Sequence, residues 1–578
     1  MLKPPSGEQQ SPSRTKTKSG CLTCKRIKCD EAKPHCLKCT STGRKCDGYG
    51  SLAILQYTGS SVRLPLQLPP ILRISGTERE NRSFQFFYER TVPSLAGYCG
   101  SEFWNRLVLQ VSQHEKSVWH ALIALGSLHE NFENDQQITG FWFTRQGQDK
   151  FAVQEYVTAI RALLGPSQIP TRDALQTSSL TVDVCLISCI LFVCFEILSS
   201  HYDSAIGHVR SGIRIYSEIY YDPSSGTYRH PFFKPSTVTT LEMESLWRIL
   251  NRLQTQALTL TRDDTDKFLS GSRPVRDFGL TKIPQSFRSV EEARDILEYY
   301  RWQFYREFHA LGGMMDVTNP VKVSDEALVL LRIYEPFLEQ WSIALNNFEQ
   351  GRGTSLTARD KIGLSILKMH QCMHIIQLEN GKFGDTAPSA WDRYNSLFEQ
   401  VVVLGASVVD SMHGIQCLSL STSQLNNLSK AGCLKPSFSL EAGIIAPLYD
   451  TATLCRDPVI RRKAVNVLRS ASRQEGVFSS HVCAVFAEQV ILIEETVAAG
   501  GTMDVEKDVS LLTLISEARY NQGEIKGSSE VPDAARLIYA YPTVNIMDKK
   551  VSFIIGQDQG MHIEIPLPAM KAMLDAEI

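Results

Sequence analysis

Six cysteines stand close together near the start of this 578-residue chain: Cys21, Cys24, Cys29, Cys36, Cys39 and Cys46. They form two similar halves, each a CxxC pair followed by a third cysteine. Thiolate is a preferred zinc ligand, and a tetrahedral zinc takes four. Six cysteines cannot fill two separate four-ligand sites, but they can if two thiolates bridge both metals. The cluster then keeps a net negative charge that nearby Lys and Arg side chains offset. Metal binding would also stabilise a segment too small to hold its own core.

The charge around the cysteines points the same way. From Arg14 to Lys45 there are ten Lys or Arg and two acids, Asp30 and Glu31, although the whole chain carries a net charge of only −2. A short basic head on an acidic body indicates a polyanionic partner for the head alone.

The cluster resembles the fungal Zn(2)-Cys(6) binuclear zinc-cluster family. The likeness covers Lys28-Cys29-Asp30-Glu31, Pro34 before Cys36, and the run from Gly43 through Cys46 to Tyr49. The resemblance implies two Zn2+ held by Cys21, Cys24, Cys29, Cys36, Cys39 and Cys46, with Cys21 and Cys36 as the bridging ligands. It also implies DNA contacts in the major groove from Lys25, Arg26 and Lys28, on sites containing CGG triplets. Lys can donate to guanine O6 and N7, while neighbouring cations neutralise phosphates.

One spacing departs from the family. Six residues separate Cys39 from Cys46, but only four separate Cys24 from Cys29, where the family has six. Removing two helical residues turns a side chain by about 200° and moves it by about 3 Å. Zinc–ligand distances tolerate about 0.2 Å. Three readings stay open: a misplaced splice junction in the translated sequence, a rearranged loop that still binds, or a cluster that holds one zinc or none. The occupancy of the two zincs therefore depends on this gap.

The elements around the cluster follow from composition and period. Residues 1–20 are rich in Ser, Pro, Lys and Gln and read as a disordered basic tail. The zinc-cluster domain takes 21–48. Residues 49–81 hold Pro65, Pro69 and Pro70 with no helical period and read as a linker without heptads. From 82 to 578 the pattern becomes helical. Val118, Leu122, Leu125 and Leu128 recur at spacings of four and three, as one face of a helix does.

Further helical patterns cover 146–164, 180–199, 203–219, 290–311, 325–349, 356–377, 391–411, 440–453, 457–470 and 478–498, with loops at 221–238 and 271–287. Val551–Ile555 and Ile563–Ile565 can pair as a C-terminal β-hairpin. The fold expected is mostly α: a small zinc cluster, a linker and one large helical domain. The apolar run Val184–Leu198 is too short for a membrane span and reads as a buried core helix. The N-terminus lacks the apolar segment of a signal peptide, so free thiols or metal ligands are expected rather than disulfides.

The helical body resembles the fungus-specific regulatory domain found behind such clusters. Three stretches carry this: Phe103-Trp104 through His120 to Gly126, His129 and Glu130; Phe151 and Tyr156 through Tyr202 and His208 to Ser211-Gly212; and Pro447-Leu448-Tyr449 through Arg456-Asp457-Pro458 to Arg461-Arg462. The resemblance implies an all-α regulatory or effector-sensing region.

Catalytic motifs are missing: HExxH, GxxxxGK[ST] and GxSxG do not occur. Asp263, Asp264 and Asp266 read as a turn or helix end, and Arg456 to Arg462 as the start and decoration of a helix. The leading expectation is a nuclear, non-enzymatic, zinc-dependent regulator of RNA polymerase II transcription. It would bind double-stranded DNA and co-regulators, with no membrane association, and act as a monomer or a homodimer. The alternative is a regulatory interaction protein whose degenerate cluster no longer binds DNA.

Overall fold

The computed structural model describes residue 41 and residues 76–98, 101–134, 149–165, 180–260, 282–310, 325–383, 387–418, 435–500, 525–537, 539–545, 550–556 and 562–566. All six cluster cysteines, Lys25, Arg26 and Lys28, and the acidic group at Asp263, Asp264 and Asp266 lie outside the described residues. The chain divides into two compact units, Met1–Ile71 and Leu72–Ile578.

The second unit is mostly α-helical, as the periodicity predicts. Helix α1 (Glu78–Phe86) starts inside the stretch expected to be linker up to residue 81. The cause is local. Thr77 Oγ1 accepts from Glu80 N at 3.3 Å, and Glu80 Oε2 accepts from Thr77 N at 2.6 Å. This reciprocal capping box satisfies two N–H groups that a helix start would otherwise leave unpaired. A π-helical turn (Phe87–Thr91) and α2 (Val92–Leu95) continue the run. A second π-turn (Phe103–Leu107) leads into α3 (Val108–Ser112).

Helices α4 (Lys116–Asn134), α5 (Lys150–Leu164), α6 (Val182–Leu198) and α7 (Tyr202–Ser217) build the first half of the main core. The expected face of α4 is inside: Val118, Leu122, Leu125 and Leu128 are all buried. All of α6 is buried, which explains its unbroken apolar sequence. Among the described residues no helix is long and apolar enough to cross a membrane. The region expected as a loop at 221–238 holds a small hairpin, β1 (Tyr220–Asp222) with β2 (Thr227–Arg229).

Helix α8 (Thr240–Leu260) has no counterpart among the expected elements. The chain does carry a signal for it: Met243, Leu246, Leu250, Leu253 and Ala257 recur at three- and four-residue spacing and are buried. Helices α9 (Val290–Ala310), α10 (Asp325–Arg352) and α11 (Ala358–Phe383) join Trp247 of α8 in a second core around Trp302 and Trp341. Trp341 Nε1 donates to Ala293 O at 2.9 Å, so this large ring is buried without an unpaired donor.

The main core resumes with α12 (Asn395–Leu418), α13 (Ile445–Leu454), α14 (Pro458–Ala471) and α15 (Ser480–Ala498). A small sheet joins β3 (Ser437–Ser439), parallel to β4 (Arg473–Glu475), with antiparallel β5 (Phe478–Ser479). The C-terminal hairpin forms between β7 (Lys550–Gly556) and β8 (His562–Pro566), with Phe553 opposite Ile565 and Ile555 opposite Ile563. A third strand, β6 (Tyr539–Asn545), pairs with β7. Pro542 within β6 hides it from a strand pattern.

Candidate functional site

The Arg456–Arg462 group differs from the expected helix decoration. Asp457 does start α14: its Oδ1 accepts from Val459 N at 2.9 Å and Ile460 N at 3.0 Å, with Pro458 in the first turn. But Arg456 and Arg461 point inward. Arg456 binds one oxygen of Glu494 at 2.7 Å and Arg461 the other at 2.8 Å, and all three side chains are wholly buried. Burial opposes ionisation of Glu494, yet the two arginines hold its carboxyl below the ordinary range. Only Arg462 lies partly exposed, against Glu495 at 2.6 Å. This group is therefore interior structure and offers no acidic-partner surface at Arg456 or Arg461.

A small cavity with charged residues among its lining lies between α9, α11 and the segment after β3. Arg294, Leu297, Glu298 and Arg301 follow one face of α9 at spacings of three, one and three. Ile366, Leu367, His370 and His374 face them from α11. Ser439, Glu441, Gly443, Arg473 and the Gly97-Tyr98 turn close it. Its volume is about 30 Å3, room for one or two water-sized groups. In the sequence this site shows only as polar residues interrupting otherwise apolar helix faces.

Its walls are a charge network. Arg294 pairs with Asp295 at 2.8 Å and with Glu441. Asp295 also takes Arg248 at 2.6 Å and Arg252 at 3.4 Å, and Arg252 reaches Glu298 at 3.3 Å. Burial works against an ionised Asp295, but the three arginines keep its carboxyl low. Burial pushes Glu298 up, with Arg252 offsetting part of the effect, and pushes Glu291 up to about 7. His370 Nε2 donates to Gly443 O at 2.9 Å. Burial, reinforced by Arg301, brings His370 down to about 4 and His374 well below its usual value. Both histidines are therefore neutral near pH 7.

Glu475 organises the far wall. Its carboxylate accepts from Gly443 N at 2.8 Å, Ile444 N at 3.0 Å and Ile445 N at 3.0 Å, and from Arg473 Nε at 2.6 Å. A buried anion thus caps the N-terminus of α13, where the helix dipole favours it. These groups can hold water or a small polar group in a fixed field.

Two other polar sites link the helices of the first half. Tyr156 OH donates to Glu196 Oε1 at 2.7 Å and lies 3.2 Å from His208 Nε2, while His201 Nδ1 lies 2.9 Å from Glu196 Oε2. His129 Nδ1 lies 2.9 Å from Thr91 Oγ1 under Phe86, Phe132 and Phe438, where its ring is wholly buried. Among the described residues, the group of side chains able to hold a metal ion is Glu80, His120 and Glu155.

Residues 82–271 match the family described as fungal specific transcription factor domain, a span running from α1 through α8. The chain is similar to the aspercryptin biosynthesis cluster-specific transcription regulator atnN of Emericella nidulans. The two are 25% identical over 93% of this chain and 96% of the relative. It is also similar to transcription regulator lscL of Purpureocillium lilacinum, at 27% identity over 34% of this chain and 47% of that protein. A 52-residue stretch is 58% identical to transcriptional regulatory protein moc3 of Schizosaccharomyces pombe, covering 8% of this chain and 10% of that protein. No solved structure matches. Helical architecture, matched domain and relatives agree: residues 82–271 match a fungal specific transcription factor domain, in a chain similar to fungal transcription regulators.

Proposed function

We propose that this regulator binds double-stranded DNA sequence-specifically through a zinc-dependent head, acts in the nucleus on RNA polymerase II transcription, and is not an enzyme. The observation that carries the reading is the order of parts: six cysteines among ten basic residues, followed by a body whose residues 82–271 match the transcription factor domain. Cys21, Cys24, Cys29, Cys36, Cys39 and Cys46 would hold two Zn2+, which would fold the head. Lys25, Arg26 and Lys28 would then face DNA, and CGG triplets are the expected sites. The atnN relative is named for one biosynthesis cluster; a gene cluster is the target class we infer here. The body would carry contacts to co-regulators and any homodimer interface.

A second reading has its own observation. The four-residue gap between Cys24 and Cys29 favours a body that regulates through protein contacts while the head no longer reads DNA. Binding of the zinc-loaded full chain to CGG-containing duplexes separates the two. The first reading expects a preferred site and an affinity that falls steeply with salt. It also expects Lys25→Ala to relax base preference more than Lys18→Ala. No binding to any duplex would establish the second reading, and equal effects of the two lysines would remove Lys25 from base contact.

A further inference from the structure

Glu80, His120 and Glu155 come from three different helices, α1, α4 and α5, yet one ligand atom of each lies within 4.8 Å of the others. His120 Nδ1 lies 2.6 Å from Glu155 Oε2. Glu80 Oε2 also accepts from Thr77 N in the capping box. The His120 and Glu155 side chains are only 21% and 12% exposed. Four donors around a zinc at about 2.1 Å stand roughly 3.4 Å apart. The three atoms therefore lie close to the scale of a shared ion, which would replace the His120–Glu155 hydrogen bond and its proton.

The charge balance leaves room for a cation. Among the described residues neither Glu80 nor Glu155 is paired with an arginine or lysine. The nearest cation in sequence, Arg79, is committed elsewhere. Its guanidinium meets Asp149 at 3.2 Å and lies 4.1 Å from the centre of the Phe151 ring. Two carboxylates and a neutral imidazole are balanced by one divalent ion. Packing holds the donors in place on both sides. Phe84 of α1 stacks on Trp119, beside His120, with ring centres 4.6 Å apart. The Arg79–Phe151 contact pins the other end of α1 near Glu155. Ligands held by such rigid surroundings lose little freedom on binding metal.

We propose that Glu80, His120 and Glu155 form a site for one divalent first-row transition-metal ion of the zinc class, which fastens α1 to α4 and α5. Nitrogen and oxygen donors in this number suit such an ion, with water completing the shell. The site is independent of the cysteine head. Occupancy would fix α1, among the described residues the helix of the body nearest in sequence to the cysteine head.

The test uses the full chain with all six head cysteines replaced by serine, dialysed against Zn2+ and analysed for bound metal. One equivalent is expected, lost in the same chain carrying His120→Gln and bound at least tenfold more weakly with Glu80→Gln. Zn2+, but not Mg2+, should raise the thermal midpoint of the serine chain, and His120→Gln should abolish that rise while leaving the far-ultraviolet circular dichroism unchanged. If His120→Gln fails to fold, Glu80→Gln decides alone. A folded serine chain that holds no zinc, or zinc held equally by both variants, overturns the proposal. Failure of the cysteine head to bind zinc leaves this result untouched, because the readout is taken without it.

Discussion

Arg456 and Glu494 form a salt bridge of 2.7 Å with both side chains wholly buried. Arg456 also donates to Leu537 O at 2.7 Å, and Leu537 N donates to Glu494 Oε1 at 2.8 Å. With Arg461 on the second oxygen, one carboxylate ties the α13–α14 junction to α15 and to the C-terminal segment. Removing one partner of such a group leaves uncompensated buried charge, which costs far more than the intact pair contributes.

Glu494→Gln should therefore destabilise the protein by about 3–5 kcal/mol. Two buried guanidiniums would face a neutral amide that also places a donor where an acceptor is needed. The sign with pH is fixed by the lowered carboxyl of Glu494. Its stabilisation is present above the ordinary carboxylate range and is lost as pH falls through the lower folded value. Urea unfolding at pH 7 and pH 4 reads this. A loss under about 1 kcal/mol at pH 7 would refute the role assigned to Glu494.

Much of the body is legible in the sequence because apolar period and burial agree. The buried face of α4 follows from its helical period, the burial of α6 from its unbroken apolar sequence, and the β7–β8 pairing from strand alternation. Arg456 and Arg461 are not legible, because a run of cations ahead of a helix looks the same whether it faces water or Glu494, 33 to 38 residues away. The cavity and the Glu80–His120–Glu155 group escape for the same reason. Each joins residues from helices far apart in sequence, and periodicity reports only on the helix that carries it.

Gly126 sets how closely α4 approaches α1. A Cβ there would run into the Ser83 carbonyl and lie 3.0 Å from Phe87 Cβ. Gly126→Ala should cost about 1–3 kcal/mol through overpacking of backbone against backbone. Gly207, inside α7, has nothing within 4 Å of its added Cβ. Gly207→Ala should stabilise by about 0.5–1 kcal/mol, because alanine favours the helix and loses less backbone entropy. Opposite shifts of the thermal midpoint are expected. A destabilising Gly207→Ala together with a neutral Gly126→Ala would contradict this packing.

The six described free cysteines, Cys185, Cys189, Cys194, Cys372, Cys455 and Cys483, are all buried. Burial pushes Cys185, Cys189 and Cys455 up to about 12 and Cys372 up to about 11. The thiolate is the reactive form, so these thiols should resist alkylation in the native protein. Mass spectrometry after brief iodoacetamide treatment at pH 8 should find all six unmodified, and modified after unfolding in guanidinium. Native labelling of Cys189 or Cys455 would show that their helices open far more readily than their burial implies.

Asp450 of α13 is partly buried, and lost hydration pushes its carboxyl up to about 7, with Arg301 offsetting part of the effect. The folded state therefore prefers the protonated form. Its contribution to stability is complete below the ordinary carboxylate value and is lost as pH rises through about 7. Asp450→Asn mimics the protonated group at every pH. Relative to the native chain it should gain about 1–3 kcal/mol above pH 7, with the difference shrinking to zero near pH 4. The neutral histidines His370 and His374 act in the opposite direction, since the unfolded chain protonates them first as pH falls. That trend is common to both proteins and cancels in the comparison. Paired urea titrations from pH 4 to pH 8 measure the difference directly. A gain that is constant across this range would remove Asp450 as the titrating group.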